Sequence, residues 1–135
     1  MIYLIFIGIA LLLSGFSEGI MDWLQFRLIN LPNHKLYNNK FWFPPISYNN
    51  KWKNGDKSQG EKFFLSSTIL VFLTDGWHLM KWCRNRFMDV VIFFMLIYMG
   101  IPWYTALSSI VVGRTLYHSG FYISYKRKTP KDFEI

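Results

Sequence analysis

Six ionisable side chains fall within or beside the apolar stretches of this 135-residue sequence, and their types and spacing could do chemistry. They form three pairs separated by three or four positions, a spacing that places both members on one face of a helix. A charge near the centre of a bilayer costs at least ~2.5–3.5 kcal/mol on insertion scales, so charged residues inside apolar helices are candidates for ion or ligand binding. The pairs are Glu18 with Asp22, Asp75 with His78, and Arg114 with His118.

Antiparallel packing of the helices would bring Asp75 and His78 to about the depth of Arg114 and His118, and we predict an ion pair between Asp75 and Arg114. Glu18 and Asp22 would lie toward the opposite face. The sequence therefore predicts an intramembrane polar cluster that binds an ion or a lipid headgroup. Two other interpretations stay open. One is a polar network that only holds the helices together. The other is a metal held by Asp75, His78 and His118, since carboxylates and imidazoles at helical spacing build metal sites in helical bundles.

The sequence favours a non-enzymatic protein with no cofactor. Residues 15–19, GFSEG, fit the G-x-S-x-G pattern of serine hydrolases, but that pattern acts on a strand-to-helix turn and here it ends an apolar helix. Cys83 is the single cysteine, so a disulfide or a cysteine-based metal cluster within this sequence is excluded. The motifs of zinc proteases and of phosphate-binding loops do not occur in the sequence.

Composition indicates a membrane protein. The sequence is 52% hydrophobic, 20% aromatic and only 17% charged, against roughly 25% charged residues in an average soluble domain. Its formal net charge is +7, and the lysines and arginines lie between and after the apolar segments, as they do beside an anionic membrane surface. We therefore expect an integral protein of a bacterial or phage-infected-cell inner membrane, with the lipid bilayer as its partner and no nucleic acid.

The elements that must position the six residues are apolar helices in a single membrane domain covering residues 1–135. We predict an all-α fold, a small polytopic transmembrane bundle of four helices in which the last two form a hairpin; three spans are the alternative. The first helix is interpreted as an uncleaved signal anchor. The predicted helices cover about 2–29, 60–84, 86–99 and 102–125, with an aromatic and lysine-rich interfacial loop at 30–59 and a basic tail at 126–135.

Particular residues set the predicted boundaries. Ser58 and Glu61 match a capping box at the start of the second helix. Gly100 and Pro102 predict the turn of the hairpin, because glycine ends helices and proline begins them.

A rival function suits the same small size and basic tail: a non-catalytic subunit of a membrane complex, or a holin-like pore that assembles with other membrane subunits or with itself.

Overall fold

The computed structural model describes residues 2–127, and this part of the chain is all-helical. Its α-helices are α1 (Ile2–Asp22), the short α2 (Pro44–Ser47), α3 (Gly76–Tyr98) and α4 (Trp103–Arg127). Short 3₁₀ segments and turns connect α1 to α3 across residues 31–75. The basic tail predicted at 126–135 lies outside the described residues from position 128 onward.

Helix α1 consists of almost uninterrupted apolar sequence and continues as a helical rod to Asn30, first as a π-helical turn at Trp23–Arg27 and then as a 3₁₀ turn at Leu28–Asn30. Within residues 2–127, this 29-residue rod is the one helix long and apolar enough to cross a membrane, with a mean hydropathy of 2.0 in its most apolar window. A signal sequence meets the same criterion. The predicted first helix, 2–29, matches the observed rod closely.

Helix α3 begins and ends with recognisable caps. The Asp75 side chain accepts a hydrogen bond from the backbone N–H of His78 (2.9 Å), which satisfies one free donor of the first turn. At the other end, Gly100 has a φ of +83°, the backbone N–H of Ile101 donates to the Leu96 carbonyl and that of Gly100 donates to the Ile97 carbonyl. This pattern is a Schellman motif, which glycine favours because it lacks a Cβ. The predicted turn at Gly100 is therefore present, and α4 starts directly after Pro102.

Helices α1 and α3 pack antiparallel along most of their length. The Phe6 and Phe94 rings stack at 5.1 Å near one end. At the other end, the Trp77 indole N–H donates to the Gln25 side-chain oxygen over 3.1 Å. Helix α4 then runs back along α3, with Arg114 beside Asp89. The start of α1 and the α3–α4 turn consequently lie at one end of the structure, which we call the turn end, and residues 31–75 lie at the other, the loop end.

The connection of residues 31–75 packs against the helices at the loop end. Leu24 and Leu28 of the α1 rod are buried with Phe43 of the connection in a small hydrophobic core. The Trp42 ring lies over Gly76, where a Cβ would stand only 2.2 Å from a ring carbon. The backbone N–H of Gly76 donates to the Phe41 carbonyl over 2.8 Å. Helix α3 therefore begins where the connection covers it, and a residue without a side chain is needed there.

The predicted helices at 60–84 and 86–99 are wrong in their boundaries, because the structure has one helix from Gly76 to Tyr98 and short turns before it. The Glu61 carboxylate does not complete a capping box. It accepts hydrogen bonds from the backbone N–H groups of Leu65 and Ser67 and from the Ser67 hydroxyl, which folds residues 61–67 into a turn with Leu65 at a φ of +59°. The predicted break near residue 85 is absent, because the charges at Arg84 and Arg86 find acidic partners and the helix continues.

Candidate functional site

The site is built on the first turn of α3, where Asp75 holds His78. Asp75 is fully buried, and its Oδ2 atom lies 2.6 Å from His78 Nδ1 and 3.2 Å from the Thr74 hydroxyl oxygen. Asp75 therefore occupies Nδ1 of the imidazole, and Nε2 is the second ring nitrogen, outside this contact. The sequence placed Asp75 and His78 on one helix face, and in the structure the two side chains are in direct contact.

His78 lines a cavity of about 470 Å³ between the connection, α3 and α4. Its charged lining residues are Lys51, Lys81 and Arg86, and the described lining contains no carboxylate. The rest of the cavity wall has a polar uncharged part and an apolar part. In the apolar part the Phe72 and Trp82 rings stack, with their centroids 4.9 Å apart. The other lining residues are Ser67, Thr68, Ile69, Val71, Asn85, Tyr117 and His118.

The two predicted histidines therefore meet at one cavity, although they come from different helices. His78 is partly buried, whereas His118 is exposed and stacks edge-on with Tyr117 at 5.6 Å. A group of three or more histidine, cysteine or acidic side chains suited to a metal ion does not occur among residues 2–127. The trio of Asp75, His78 and His118 that the metal alternative requires is not assembled.

Arg114 pairs with Asp89 and not with Asp75, so the predicted ion pair is wrong. The Arg114 Nε and Nη2 atoms each lie 2.7 Å from Asp89 Oδ1, and Nη2 also donates to the Asn85 carbonyl over 2.6 Å. Asp89 Oδ2 faces Arg86 Nη2 at 3.0 Å, an ion pair without an aligned hydrogen bond. The reason for the error is register: Asp75 caps the end of α3 and sits about 21 Å below Asp89 along the helix at ~1.5 Å per residue.

Glu18 and Asp22 have different surroundings, although both lie on α1. Glu18 forms an ion pair with Arg84 of α3 at 3.0 Å, and its side chain is 56% exposed. Asp22 is exposed and makes no side-chain contact with a charged partner among residues 2–127. Neither residue reaches the cavity, so the structure separates them from the site of His78 and His118.

Sequence reasoning missed Asp89, the acid that neutralises two arginines. Asp89 could have been found from sequence, because it is a charged residue within an apolar stretch, like the six ionisable residues of the predicted pairs. Its spacing of three residues from Arg86 also predicts an ion pair on a helix. The cations of the cavity were missed for another reason. Lys51 and Lys81 lie 30 positions apart in the sequence and meet only because the connection folds back onto α3.

Two groups in the connection have shifted pKa values. The hydrogen bonds from Ser67 and Leu65 hold the pKa of Glu61 below its ordinary 4.5, so this carboxylate stays ionised to lower pH. Partial burial raises the pKa of Tyr48 above 10.0, and the nearby negative charge of Asp75 adds to the effect. Tyr48 also packs edge-on against His78 at 5.8 Å. The Tyr48 ring and the buried Asp75 carboxylate therefore both neighbour His78.

Comparison with protein-family models, with curated proteins and with solved structures gives no match to this chain.

Proposed function

We propose that this protein is an integral membrane protein in which α1, α3 and α4 cross the bilayer and residues 31–75 cover one end at the membrane surface. The observation that carries the proposal is the apolar surface of these helices. Side chains such as Leu12 (74% exposed) and Leu116 (67% exposed) point away from the bundle, and only 22% of the most apolar window of α1 is buried. Soluble monomers rarely expose contiguous apolar surface beyond a few hundred Å², whereas lipid tails would cover it.

The polar groups on α4 support a lipid environment. The hydroxyls of Ser108, Ser109, Thr115 and Ser119 each donate to the carbonyl four residues earlier, at distances of 2.7 to 2.9 Å. A hydroxyl facing water would not need this bond, whereas a hydroxyl facing lipid has few other acceptors. These hydroxyls on the exposed face of α4 are thus hydrogen-bonded within the helix itself.

Aromatic side chains mark both ends of the proposed membrane-spanning region. Tyr98, Trp103 and Tyr104 are exposed at the turn end, and Trp82 lies toward the loop end. The rise along α3 from Trp82 to Tyr98 is about 24 Å at ~1.5 Å per residue. Tryptophan and tyrosine collect at membrane interfaces, and hydrocarbon cores are roughly 30 Å thick, so these residues fit a slightly thinned bilayer.

The charges give the proposed region an orientation. None of the 15 lysine and arginine residues lies in 1–26 or 87–113, the stretches that include the whole turn end. The connection contributes Lys35, Lys40, Lys51, Lys53, Lys57 and Lys62 at the loop end. Because cytoplasmic loops carry an excess of positive residues, the loop end faces the cytoplasm and the α3–α4 turn faces away from it.

The proposed activity is binding of a small ligand or ion by the polar cluster at the loop end, without catalysis. The cavity that joins His78 to His118 has the volume of a small-molecule site, which is typically ≈ 300–1,000 Å³. Its position beside Trp82 supports a location at the membrane surface. The proposed site therefore differs from the cluster predicted from sequence. It keeps His78 and His118, whereas Arg114 pairs with Asp89 and does not line the cavity.

Membrane integration and orientation can be tested together in a bacterial host. After Cys83→Ser removes the native cysteine, Met99→Cys and Lys57→Cys place single thiols at the turn end and in the connection. The protein should stay in the membrane pellet after alkaline carbonate extraction. A membrane-impermeant maleimide should label the Met99→Cys protein in intact cells and the Lys57→Cys protein only after permeabilisation. Release by carbonate would refute integration, and the opposite labelling would refute the orientation.

One observation favours the rival function of an assembly subunit. Gly15 and Gly19 lie four residues apart on α1, both are exposed, and a Cβ at either would meet no atom within 4 Å. Small residues at this spacing let a second transmembrane helix approach closely. Mass measurement of the detergent-solubilised protein tests this function: a strict monomer contradicts it, and an oligomer that Gly15→Leu dissociates supports it.

A further inference from the structure

The cavity lies at the level where the phosphates of lipid headgroups are found in the proposed orientation. Trp82 and Tyr117 are part of its wall, and these residue types favour the membrane interface. Lys51 reaches the same space from the connection, which covers the loop end. A ligand in the cavity therefore has the helices on one side and the surface connection on the other.

The lining favours a negatively charged group. The side chains of Lys51 and Lys81 line the cavity, and their ammonium groups lie over the neighbouring Trp52 and Trp77 rings, 5.8 and 5.0 Å from the centroids. Arg86 contributes a guanidinium that Asp89 partly neutralises at 3.0 Å. The described lining offers no carboxylate to hold a cation, and the two lysines would repel one. Phosphate oxygens accept strong charge-assisted hydrogen bonds from such donors. The electrostatics thus select an anion over the metal ion considered from sequence.

The imidazole of His78 is oriented to add a donor or acceptor to this space. Asp75 occupies its Nδ1 atom and His78 lines the cavity, so Nε2 is the ring nitrogen that can contact a ligand there. The hydroxyls of Ser67, Thr68 and Tyr117 and the amide of Asn85 add neutral polar groups around the cations. Several neutral donors around a phosphate also accommodate the glycerol and ester oxygens that adjoin it in a lipid.

The remaining wall is apolar and suits the start of acyl chains. Phe72 and Trp82 stack at 4.9 Å, and Ile69 and Val71 continue this side. Ile69 of the connection is 69% exposed and Trp82 of α3 is 42% exposed, so the apolar side of the cavity opens to the outer surface of the protein. A free phosphate ion would leave this wall uncovered, whereas a phospholipid would cover it and reach the bilayer.

We infer that the cavity binds the phosphate headgroup of an anionic phospholipid, with Lys51 and Lys81 as its main charged contacts and His78 as an oriented polar contact. The inference rests on the proposed membrane function, because it places the cavity at the cytoplasmic surface of the bilayer. It names the ligand class that the sequence left open between ion, metal and headgroup.

The test uses the full-length protein, delipidated in detergent and titrated with phosphatidylglycerol or phosphatidylcholine of identical acyl chains, with bound lipid counted by native mass spectrometry. Wild-type protein should prefer phosphatidylglycerol. The Lys51→Gln/Lys81→Gln protein should bind it at least about tenfold more weakly, since a charge-assisted hydrogen bond contributes ≈ 1.5–3 kcal/mol and 1.4 kcal/mol is tenfold. The matched control, Lys53→Gln/Lys62→Gln, loses the same charge from exposed positions outside the cavity and should change binding less than twofold.

Folding is checked by circular dichroism and by Lys51→Arg/Lys81→Arg, which keeps both charges and should restore the preference if the cavity is intact. Equal loss in the cavity and control variants would overturn the inference, because general surface charge would then explain lipid binding. Displacement of phosphatidylglycerol by inorganic phosphate at equal concentration would overturn the lipid assignment in favour of a free anion. The membrane proposal fails separately, through release of the protein by carbonate, and the headgroup site can fail while the protein remains integrated.

Discussion

The ion pair between Arg114 and Asp89 provides the sharpest test of how the helices are held together. Asp89 is 12% exposed and Arg114 22% exposed at the side chain, and the guanidinium makes two contacts of 2.7 Å to one carboxylate oxygen. In Asp89→Leu, Arg114 would keep only the Asn85 carbonyl, at 2.6 Å, as a partner. Breaking a buried pair by removing one partner costs about 3–5 kcal/mol, and partial exposure places this case near the lower value, ~3 kcal/mol.

The opposite single change should cost less. In Arg114→Leu, the Asp89 carboxylate retains Arg86 at 3.0 Å, so we expect a loss of ~2 kcal/mol. The double variant Asp89→Leu/Arg114→Leu should unfold with a free energy within ~1 kcal/mol of wild type, because replacing both charges by apolar groups of fitting size is often neutral. The resulting coupling energy is about 4–6 kcal/mol, well above the ~0.5 kcal/mol expected of independent sites.

The assay is reversible unfolding of the protein in lipid bicelles, followed by tryptophan fluorescence, for wild type, both single variants and the double variant. Asp75→Asn combined with Arg114→Leu is the control, since these residues make no contact and their effects should add. Additive effects for Asp89 and Arg114 would refute the pairing of α3 with α4 described here. Coupling between Asp75 and Arg114 would restore the pairing that the sequence suggested.

Three further predictions concern the loop end. Asp75→Ala removes the cap of α3 and the hydrogen-bond partner of His78, so stability should fall by at least ~1 kcal/mol, with a changed imidazole resonance in NMR. Gly76→Ala places a Cβ against the Trp42 ring and should cost ~1–3 kcal/mol and shift the tryptophan emission, whereas Gly113→Ala in α4, which meets no atom within 4 Å, should leave the emission unchanged. The third prediction is acid sensitivity: the lowered pKa of Glu61 contributes stability that is present above its ordinary pKa of 4.5 and is lost as pH falls through the lower folded pKa. Limited proteolysis should therefore cleave the 61–67 turn faster at low pH, and Glu61→Gln should remove this pH dependence.

The sequence by itself determined the helical class, the first helix and the turn between the last two helices. These features depend on local properties: an unbroken apolar run for α1, and the glycine and proline that end and begin helices at Gly100 and Pro102. The contact of Asp75 with His78 was also predictable, because residues three positions apart share a helix face and an aspartate at the N-cap reaches the first turn.

Only the tertiary structure decided where α3 begins and which charges meet. An apolar run such as residues 62–73 suits a helix by composition, but the hydrogen bonds of Glu61 and the cover of Trp42 over Gly76 favour turns up to Asp75. Arg114 had two acidic candidates on α3, and the register of the hairpin selected Asp89. The cavity of Lys51 and His78 depends on a chain reversal of 27 residues, and contacts across such distances are set by packing, on which local sequence carries little information.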